Sequence, residues 1–576
     1  MAPNPTPKSE EEFLTSLRRK LTSLRKKFKK ALNECEAKEE PRIRRLHCRR
    51  DLEEFARYFF PHLFRLEFSP KHLDLFLQRI PLVSRVLAQR AGRRVALAAP
   101  RGNAKSTIQT LLFPLHDLCY GLEKYTVIFS ATMAQAEQRL RNIRRELEKN
   151  QALRAAYGDA LAKTGRWTRR SLCVGGAQID AFSAGSETRG ISSGEWRPTK
   201  VILDDAEDSE QVENADLREK LYDWFREVIE NLGDRYTDIE VVGTVLHPDS
   251  LLARLLERPD FESKRWPSIL HFAERTDLWD EWRARYTDLA NPRRTASARR
   301  FFNDRREEML RGAEVLWPPK EDYYDLMVQL ATRGRRAFFK EKQNEPLRAD
   351  SAVFDPSTFR FFRREGDRLR VEGQSEGVAI ADLRVVGFLD LAMGQGARRG
   401  EGDFAAIATV GADAGGRLYA LDVWLERATP SEQARRVFAQ HDLWNYSVFG
   451  IEAIGFQGLI REPLESIRRE RRNSGTAGAA ESAGGARAAE LPIRDLTPRG
   501  SKVERVASLE PLIHNGWLVF DRALPEEFFA QLEQFPRGRH DDGPDALASA
   551  VDLARHGDGQ PQLLRKTRNG TKTGGF

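Results

Sequence analysis

Leu14, Leu17, Leu21, Leu24, Phe28 and Leu32 recur at spacings of three and four, predicting a helical segment over about residues 9–50 with one apolar stripe. Between them Arg18, Arg19, Lys20, Arg25, Lys26, Lys27, Lys29 and Lys30 make a basic face that suits solvent or nucleic acid. From about 55 to 345 short apolar runs alternate with helical stretches, the pattern of a parallel α/β sheet. A second alternating block covers about 380–556, after a connection with some short strands between Gln343 and Gly377. Two stretches lack the apolar positions needed for a core: RRNSGTAGAAESAGGARAAE at 471–490, expected to be a flexible insertion, and the basic tail 557–576. The expected segments are therefore 1–54 (charged and helical), 55–345, 346–379 (linker), 380–556 and 557–576.

Three apolar runs of the first block end in residues that carry chemistry. RVALAAPRGNAKST, residues 94–107, reads as a buried strand, a turn and the opening of a helix. Pro100, Arg101, Gly102, Asn103, Ala104, Lys105, Ser106 and Thr107 have the spacing of a phosphate-cradling P-loop. In such a loop backbone N–H groups face phosphate oxygens, Lys105 reaches the β and γ phosphates, and Ser106 offers its hydroxyl to Mg²⁺. Ala99 and Ala104 occupy the usual glycine positions, which permits close approach provided that neither needs a positive φ.

TKVILDDAED, residues 199–208, is a strand that ends in Asp204, placed for a metal ion, with Asp205 or Glu207 to polarise water. A solvated acidic turn would account for these acids singly; following a P-loop within one α/β block, they point to nucleotide hydrolysis. IEVVGTVLHP, residues 239–248, ends in Gly243 and Thr244, where a small hydroxyl residue can sense the γ-phosphate and relay its loss. Phe68, Pro70 and His72 lie in the right neighbourhood for an adenine pocket.

The second block carries a different constellation. VVGFLDL puts Asp390 near the middle or end of an apolar strand, FAAIATVGA follows after Asp403, and LYALDVWLE comes next. Strand, hairpin, strand and helix is the start of a ribonuclease-H-like sheet. YSVFGIEA ends a strand with Glu452, and HDDGPDALASAVDLA begins a helix with Asp541, Asp542 and Asp545 in its first turn. Carboxylates from two strands and a helix can converge on two divalent ions about 3.5–4 Å apart, one activating water and the other stabilising the departing oxygen. Carboxylates favour Mg²⁺ or Mn²⁺. First-turn acids also suit a helix N-terminus electrostatically, so Asp541 and Asp542 have an ordinary reason to be there that Asp390, inside an apolar strand, does not. His540 reads as a neighbour of this set rather than as a ligand.

Composition narrows the partners. The 576 residues suffice for several domains, and a net charge of +8 favours a polyanion. Cys35, Cys48, Cys119 and Cys173 form no C-x-x-C pair, which argues against a zinc knuckle or a disulfide framework. No run of eighteen apolar residues and no secretion-signal pattern occurs, so a cytoplasmic location without membrane contact is expected.

Taken in order, these motifs resemble the large terminase subunit of tailed bacteriophages, the motor that packages DNA into procapsids, over most of the chain. In the first block the likeness rests on PRGNAKST, FSATMAQAEQRLRNIRRELEKN, SAGSETRGISSGEWRPTKVILDDAED, VVGTVLHPDS and KEKQNEPL. In the second it rests on FLDLAMGQGARRGEGDFAAI, GIEAIGFQG, SKVERVASLEPLIHNGWLVF and FPRGRHDDGPDALASA. The resemblance implies an ATPase domain followed by a nuclease domain. It implies that Lys105 and Ser106 bind nucleotide and metal, that Asp204 holds Mg²⁺, and that Asp390, Glu452 and Asp542 are nuclease metal ligands with Asp541 close behind. VVGTVLHPDS would be the coupling motif, and Arg101 in cis or Arg189 from elsewhere would stabilise transition-state charge.

The sequence departs from the family at Ala104, usually glycine, and at Asp205, where many members carry the catalytic glutamate, so that Glu207 is an alternative. The cofactors implied are ATP and Mg²⁺ or Mn²⁺, one ion at the ATPase site and two at the nuclease site. The partners implied are double-stranded DNA, a portal protein, a small terminase subunit and further copies in a ring on the procapsid. The setting implied is the host cytoplasm, transiently at the portal vertex. A helicase–nuclease of repair or restriction would show a full set of helicase motifs and a second motor domain, which are not found. A non-catalytic scaffold binding DNA or the portal would have no need of Lys105, Asp204, Asp390 and Glu452.

Overall fold

Strand β1 (Arg94–Ala98) is covered on both faces: Val95 and Leu97 belong to one buried cluster, Ala96 and Ala98 to another. Two-sided burial is why this run is apolar throughout rather than alternating. The computed structural model describes residues 40–85, 91–158, 160–165, 167–346, 352–391, 404–452, 457–475, 491–496 and 501–556, with 23, 26 and 27. The stripe from Leu14 to Leu32, Asp403, residues 476–490 of the insertion and the tail 557–576 lie outside the described residues. Among the described residues no helix is long and apolar enough to cross a membrane.

By contacts the chain divides into two units, Met1–Ser268 with Leu316–Asp322, and Ile269–Val315 with Tyr323–Phe576. Residues 269–315 and 323–345, grouped with the first domain on sequence, thus belong to the second unit.

The first unit holds β2 (Tyr125–Ser130), β3 (Ser171–Val174), β4 (Ala177–Ser183), β5 (Lys200–Asp204), β6 (Asp238–Gly243) and β7 (Glu262–Arg265) in the order β3-β4-β2-β5-β6-β1-β7. Every pairing is parallel except β3 with β4. Within β5, Val201 and Leu203 face one cluster and Ile202 the other. The period of two therefore turns Lys200 and Asp204 toward the Ile202 side, where Ile108, Leu111 and Leu112 from the segment after the loop are packed.

In the second unit β8 (Ile269–His271) pairs with β9 (Glu314–Val315). The larger sheet contains β10 (Phe361–Glu365), β11 (Arg368–Val371), β12 (Val378–Ala379), β13 (Arg384–Asp390), β14 (Ala405–Ala412), β15 (Leu418–Glu426), β16 (Val448–Glu452), β17 (Ile493–Leu496) and β18 (Leu518–Asp521). Their order is β12-β11-β10-β18-β15-β14-β13-β16-β17. An antiparallel meander β13-β14-β15 continued by parallel β16 and β17 is the ribonuclease-H-like arrangement expected. Strands β10 to β12, from the segment read as a linker, extend this sheet through β18. Val386 and Phe388 share a cluster with Ala546, Leu547, Ala550 and Val551 of the helix Asp542–His556, so alternation turns Asp390 toward that helix. Ala406 and Ala408 of β14 lie in the same cluster.

At the opposite end of β5 from Asp204 lies a buried ionic cluster. Lys200 Nζ is 3.2 Å from Asp117 Oδ2 and 3.1 Å from Glu240 Oε1, and Arg79 pairs with Asp117 and, at 3.1 Å, with Glu240. Two cations and two carboxylates, each almost fully buried, compensate one another. Asp117→Ala leaves two buried cations facing Glu240 and should lower the unfolding free energy by ~3–5 kcal/mol in urea titrations; a loss below about 1 kcal/mol would show the cluster to be dispensable.

Candidate functional site

The turn after β1 is closed by backbone geometry that the sequence did not announce. Gly102 has φ +82° and Ala104 has φ +57°, so the proviso that alanine there avoids a positive φ fails at position 104. A left-handed alanine costs ~1–2 kcal/mol. Its carbonyl accepts from Ile108 N–H at 3.0 Å, which starts the following helix. The preceding carbonyl, that of Asn103, accepts from Lys71 Nζ at 2.7 Å and from His72 Nε2 at 3.1 Å. His72 Nδ1 accepts from Ser69 N–H at 3.0 Å, which leaves Nε2 as the protonated nitrogen of a neutral ring. Burial, with the neighbouring Lys71, pushes the His72 pKa down to about 3. His72 is thus committed to the loop, while Leu63, Phe64, Phe68 and Trp317 supply the apolar part of the adjoining cavity.

That cavity, about 800 Å³, is lined by residues 101–107, 205–209 and 241–244 at the carboxyl ends of β1, β5 and β6. Asp204 is completely buried. Its Oδ1 accepts from Ser106 Oγ at 2.8 Å and its Oδ2 from Thr110 Oγ1 at 2.8 Å, while Arg139 Nε forms an ion pair with Oδ2 at 2.8 Å. Burial holds its pKa above the ordinary carboxylate value, against the pull of Arg139. Asp205, with φ +47°, sets Oδ1 3.1 Å from Lys105 Nζ and Oδ2 3.6 Å from Arg139. Lys105 also donates to Thr244 Oγ1 at 2.7 Å, and the Thr244 hydroxyl donates to Ala99 O at 3.2 Å. The side chain singled out for coupling therefore touches the lysine directly, beside Gly243 at the end of β6.

Glu207 is placed differently. Its two carboxylate oxygens accept from Leu251 N at 2.6 Å and Leu252 N at 3.2 Å, capping the helix Leu251–Glu257, and burial raises its pKa to about 6. Arg101 is exposed on the turn, and the exposed Arg189 pairs with Glu227 at 2.9 Å. Sequence reasoning missed Arg139 and Lys71. Arg139 is one of several arginines in the helix Met133–Lys149, and only the helix register distinguishes it from Arg141, Arg144 and Arg145. A hydroxyl and a carboxylate from Ser106 and Asp204, side by side at a strand end, form a donor pair suited to Mg²⁺.

In the second unit Leu389 pairs with Ile451 in parallel register, so Asp390 and Glu452 end neighbouring strands at one edge. Burial, reinforced by Asp545, Asp542 and Glu452 against the pull of Lys502, lifts the Asp390 pKa to about 8. Lys502 Nζ stands among the acids, 2.6 Å from Asp541, 3.9 Å from Asp542 and 3.8 Å from Asp545. Arg505 grips Asp545 through Nη2 at 2.8 and 2.9 Å. Asp542 Oδ2 accepts from Phe404 N at 3.2 Å, binding the helix to the entry of β14, and His540 Nδ1 lies 4.0 Å from the same oxygen.

Among the described residues no three His, Cys, Asp or Glu side chains are gathered closely enough to hold a metal ion. Asp390, Glu452 and Asp542 share an electrostatic neighbourhood rather than a coordination shell. The donor chemistry, several carboxylates gathered around the buried Asp390, suits a hard divalent cation. Lys502 and Arg505 lie in SKVERVA, where nothing in the sequence marks those two as facing acids.

No family model and no curated protein matches the sequence. Among solved structures, the chain is similar to the large terminase from a thermophilic bacteriophage in complex with ADP, with 8% identity over 84% of this chain and 99% of that one, at a TM-score of 0.42. It is similar to the HK97 bacteriophage large terminase at 13% identity, 84% and 95% coverage and a TM-score of 0.27. The large terminase nuclease from thermophilic phage G20c matches 35% of this chain and 97% of its own length, at 18% identity and a TM-score of 0.22.

Glu207→Ala removes the acceptor for two helix N–H groups, so the unfolding free energy should drop by ~0.5–2 kcal/mol in urea or thermal unfolding; an unchanged stability would contradict the capping role.

Proposed function

We propose that this chain hydrolyses ATP in the first unit and cuts DNA at the acidic edge of the second, as the large subunit of a viral DNA-packaging motor. The observation that carries the reading is the convergence of Lys105, Ser106, Asp204, Asp205 and Thr244 at the carboxyl edge of a parallel sheet. A P-loop lysine, a hydroxyl beside a buried strand-end acid and a second acid against the lysine are the parts that ATP hydrolysis needs. A second set of acids on a ribonuclease-H-like sheet supports the nuclease half.

In this reading Ser106 and Asp204 hold Mg²⁺, and residues 100–107 cradle the phosphates with Lys105 on the β and γ groups. Asp205 is favoured over Glu207 to polarise the attacking water, because both Glu207 oxygens already serve a helix terminus. Thr244, bonded to Lys105, is placed to report loss of the γ-phosphate through β6. Arg101, on the turn and lining the cavity, would stabilise charge on the phosphates in cis. In the second unit Asp390, Glu452 and Asp542, with Asp541, would hold two Mg²⁺ or Mn²⁺ ions, which supply an activated water and stabilise the leaving oxygen. Asp545 is held by Arg505, and Asp541 holds Lys502 at 2.6 Å. Double-stranded DNA would be gripped through phosphates, hence with strong salt dependence and little sequence preference. A ring of copies on a procapsid portal, loaded by a small subunit in the host cytoplasm, completes the proposal.

Lys105→Ala should lower DNA-stimulated ATP turnover by ~10²-fold or more while sparing metal-dependent cutting, and Asp390→Asn should do the reverse. Loss of both activities in both folded variants would contradict two separate sites. Removing divalent ions with EDTA should stop both reactions and Mg²⁺ or Mn²⁺ should restore them; cutting that survives chelation would overturn the metal assignment.

A further inference from the structure

The strained alanine in the loop lies between two peptides that are each fixed from outside it. On its C-terminal side the Ala104 carbonyl is bound by Ile108 N–H at 3.0 Å. On its N-terminal side the Asn103 carbonyl receives Lys71 Nζ and His72 Nε2. With both flanking peptide planes oriented, φ at 104 has little freedom left, and +57° persists although alanine disfavours it. Glycine would adopt that angle without help.

The helper residues are themselves rigidly held. His72 is fully buried and Lys71 is 1% exposed. Ser69 N–H and Oγ, at 3.0 and 3.1 Å, fix His72 Nδ1, and the Trp317 ring meets the imidazole edge-on with centroids 4.6 Å apart. Lys71 has no carboxylate paired with it among the described residues, and burial together with nearby Lys105 pulls its pKa down. A buried amine directed at one carbonyl is costly and calls for a reason.

We propose that Lys71 and His72 form a clamp on the Asn103 carbonyl that replaces the glycine missing at position 104, holding the loop in its phosphate-accepting shape. Both are positioning residues: they touch the loop, and the loop touches the nucleotide. The inference rests on reading the first cavity as an ATP site. It implies a specific interdependence, because the clamp matters only while residue 104 has a Cβ. A pair that merely anchored the helix Pro70–Arg85 would show no such dependence.

The test is a double-mutant cycle on the full chain, measuring the dissociation constant of a fluorescent ATP analogue with Mg²⁺. Lys71→Met should weaken binding by ~10-fold or more, and by less than ~3-fold when Ala104→Gly is also present. His72→Ala should behave in the same way and serves if Lys71→Met fails to fold, as judged by circular dichroism. Equal weakening in both backgrounds, or none in either, overturns the clamp. Failure of the unmutated chain to bind the analogue would instead overturn the ATP reading itself.

Discussion

A carboxylate cut off from water must find its partners inside the protein, and Asp204 finds two hydroxyl donors and one cation on separate segments. Ser106 belongs to the end of the loop, Thr110 to the helical segment behind it, and Arg139 to the helix Met133–Lys149. Satisfying one buried acid therefore fixes the loop and two helical segments against β5. The alternation of β5 decides which way that acid points, since Ile202, two residues earlier, already faces the same layer. Lys200 obeys the same alternation at the far end of the strand, where it meets Arg79, Asp117 and Glu240. One five-residue strand thus organises polar clusters at both of its ends.

The same rule builds the second unit. Asp390 follows Val386 and Phe388 on the face that receives the helix Asp542–His556, and the parallel register of β13 and β16 brings Glu452 to its side. Small residues at Ala406 and Ala408 belong to the layer in which that helix lies. Asp542 then bonds Phe404 at the entry of β14, so a residue expected at a metal site also joins helix to sheet.

Strand ends were readable from the sequence because a short apolar run that closes on an acid is rarely anything but a buried strand leading to a polar edge. Asp204, Asp390 and Glu452 stand at the ends of β5, β13 and β16 as expected. Less readable were the residues that come from elsewhere to meet those acids. Arg139, Lys502 and Arg505 lie in charged helices where many cations look alike, and only three-dimensional register selects among them. The left-handed Ala104 was unreadable for a different reason. Backbone angles there are imposed by Lys71 and His72, far away in the chain, and local propensity points the other way. The place of 269–315 in the second unit was also hidden, because periodicity reports elements and says nothing of which unit they pack with.

Arg139 and Lys105 at one acidic edge, and Lys502 and Arg505 at the other, act as built-in counterions. At each edge a tethered side-chain cation neutralises part of the acids' charge, so carboxylates brought together by strand register can stay close without repelling one another apart. Truncating one of these cations would therefore unsettle an entire strand edge and not a single ion pair.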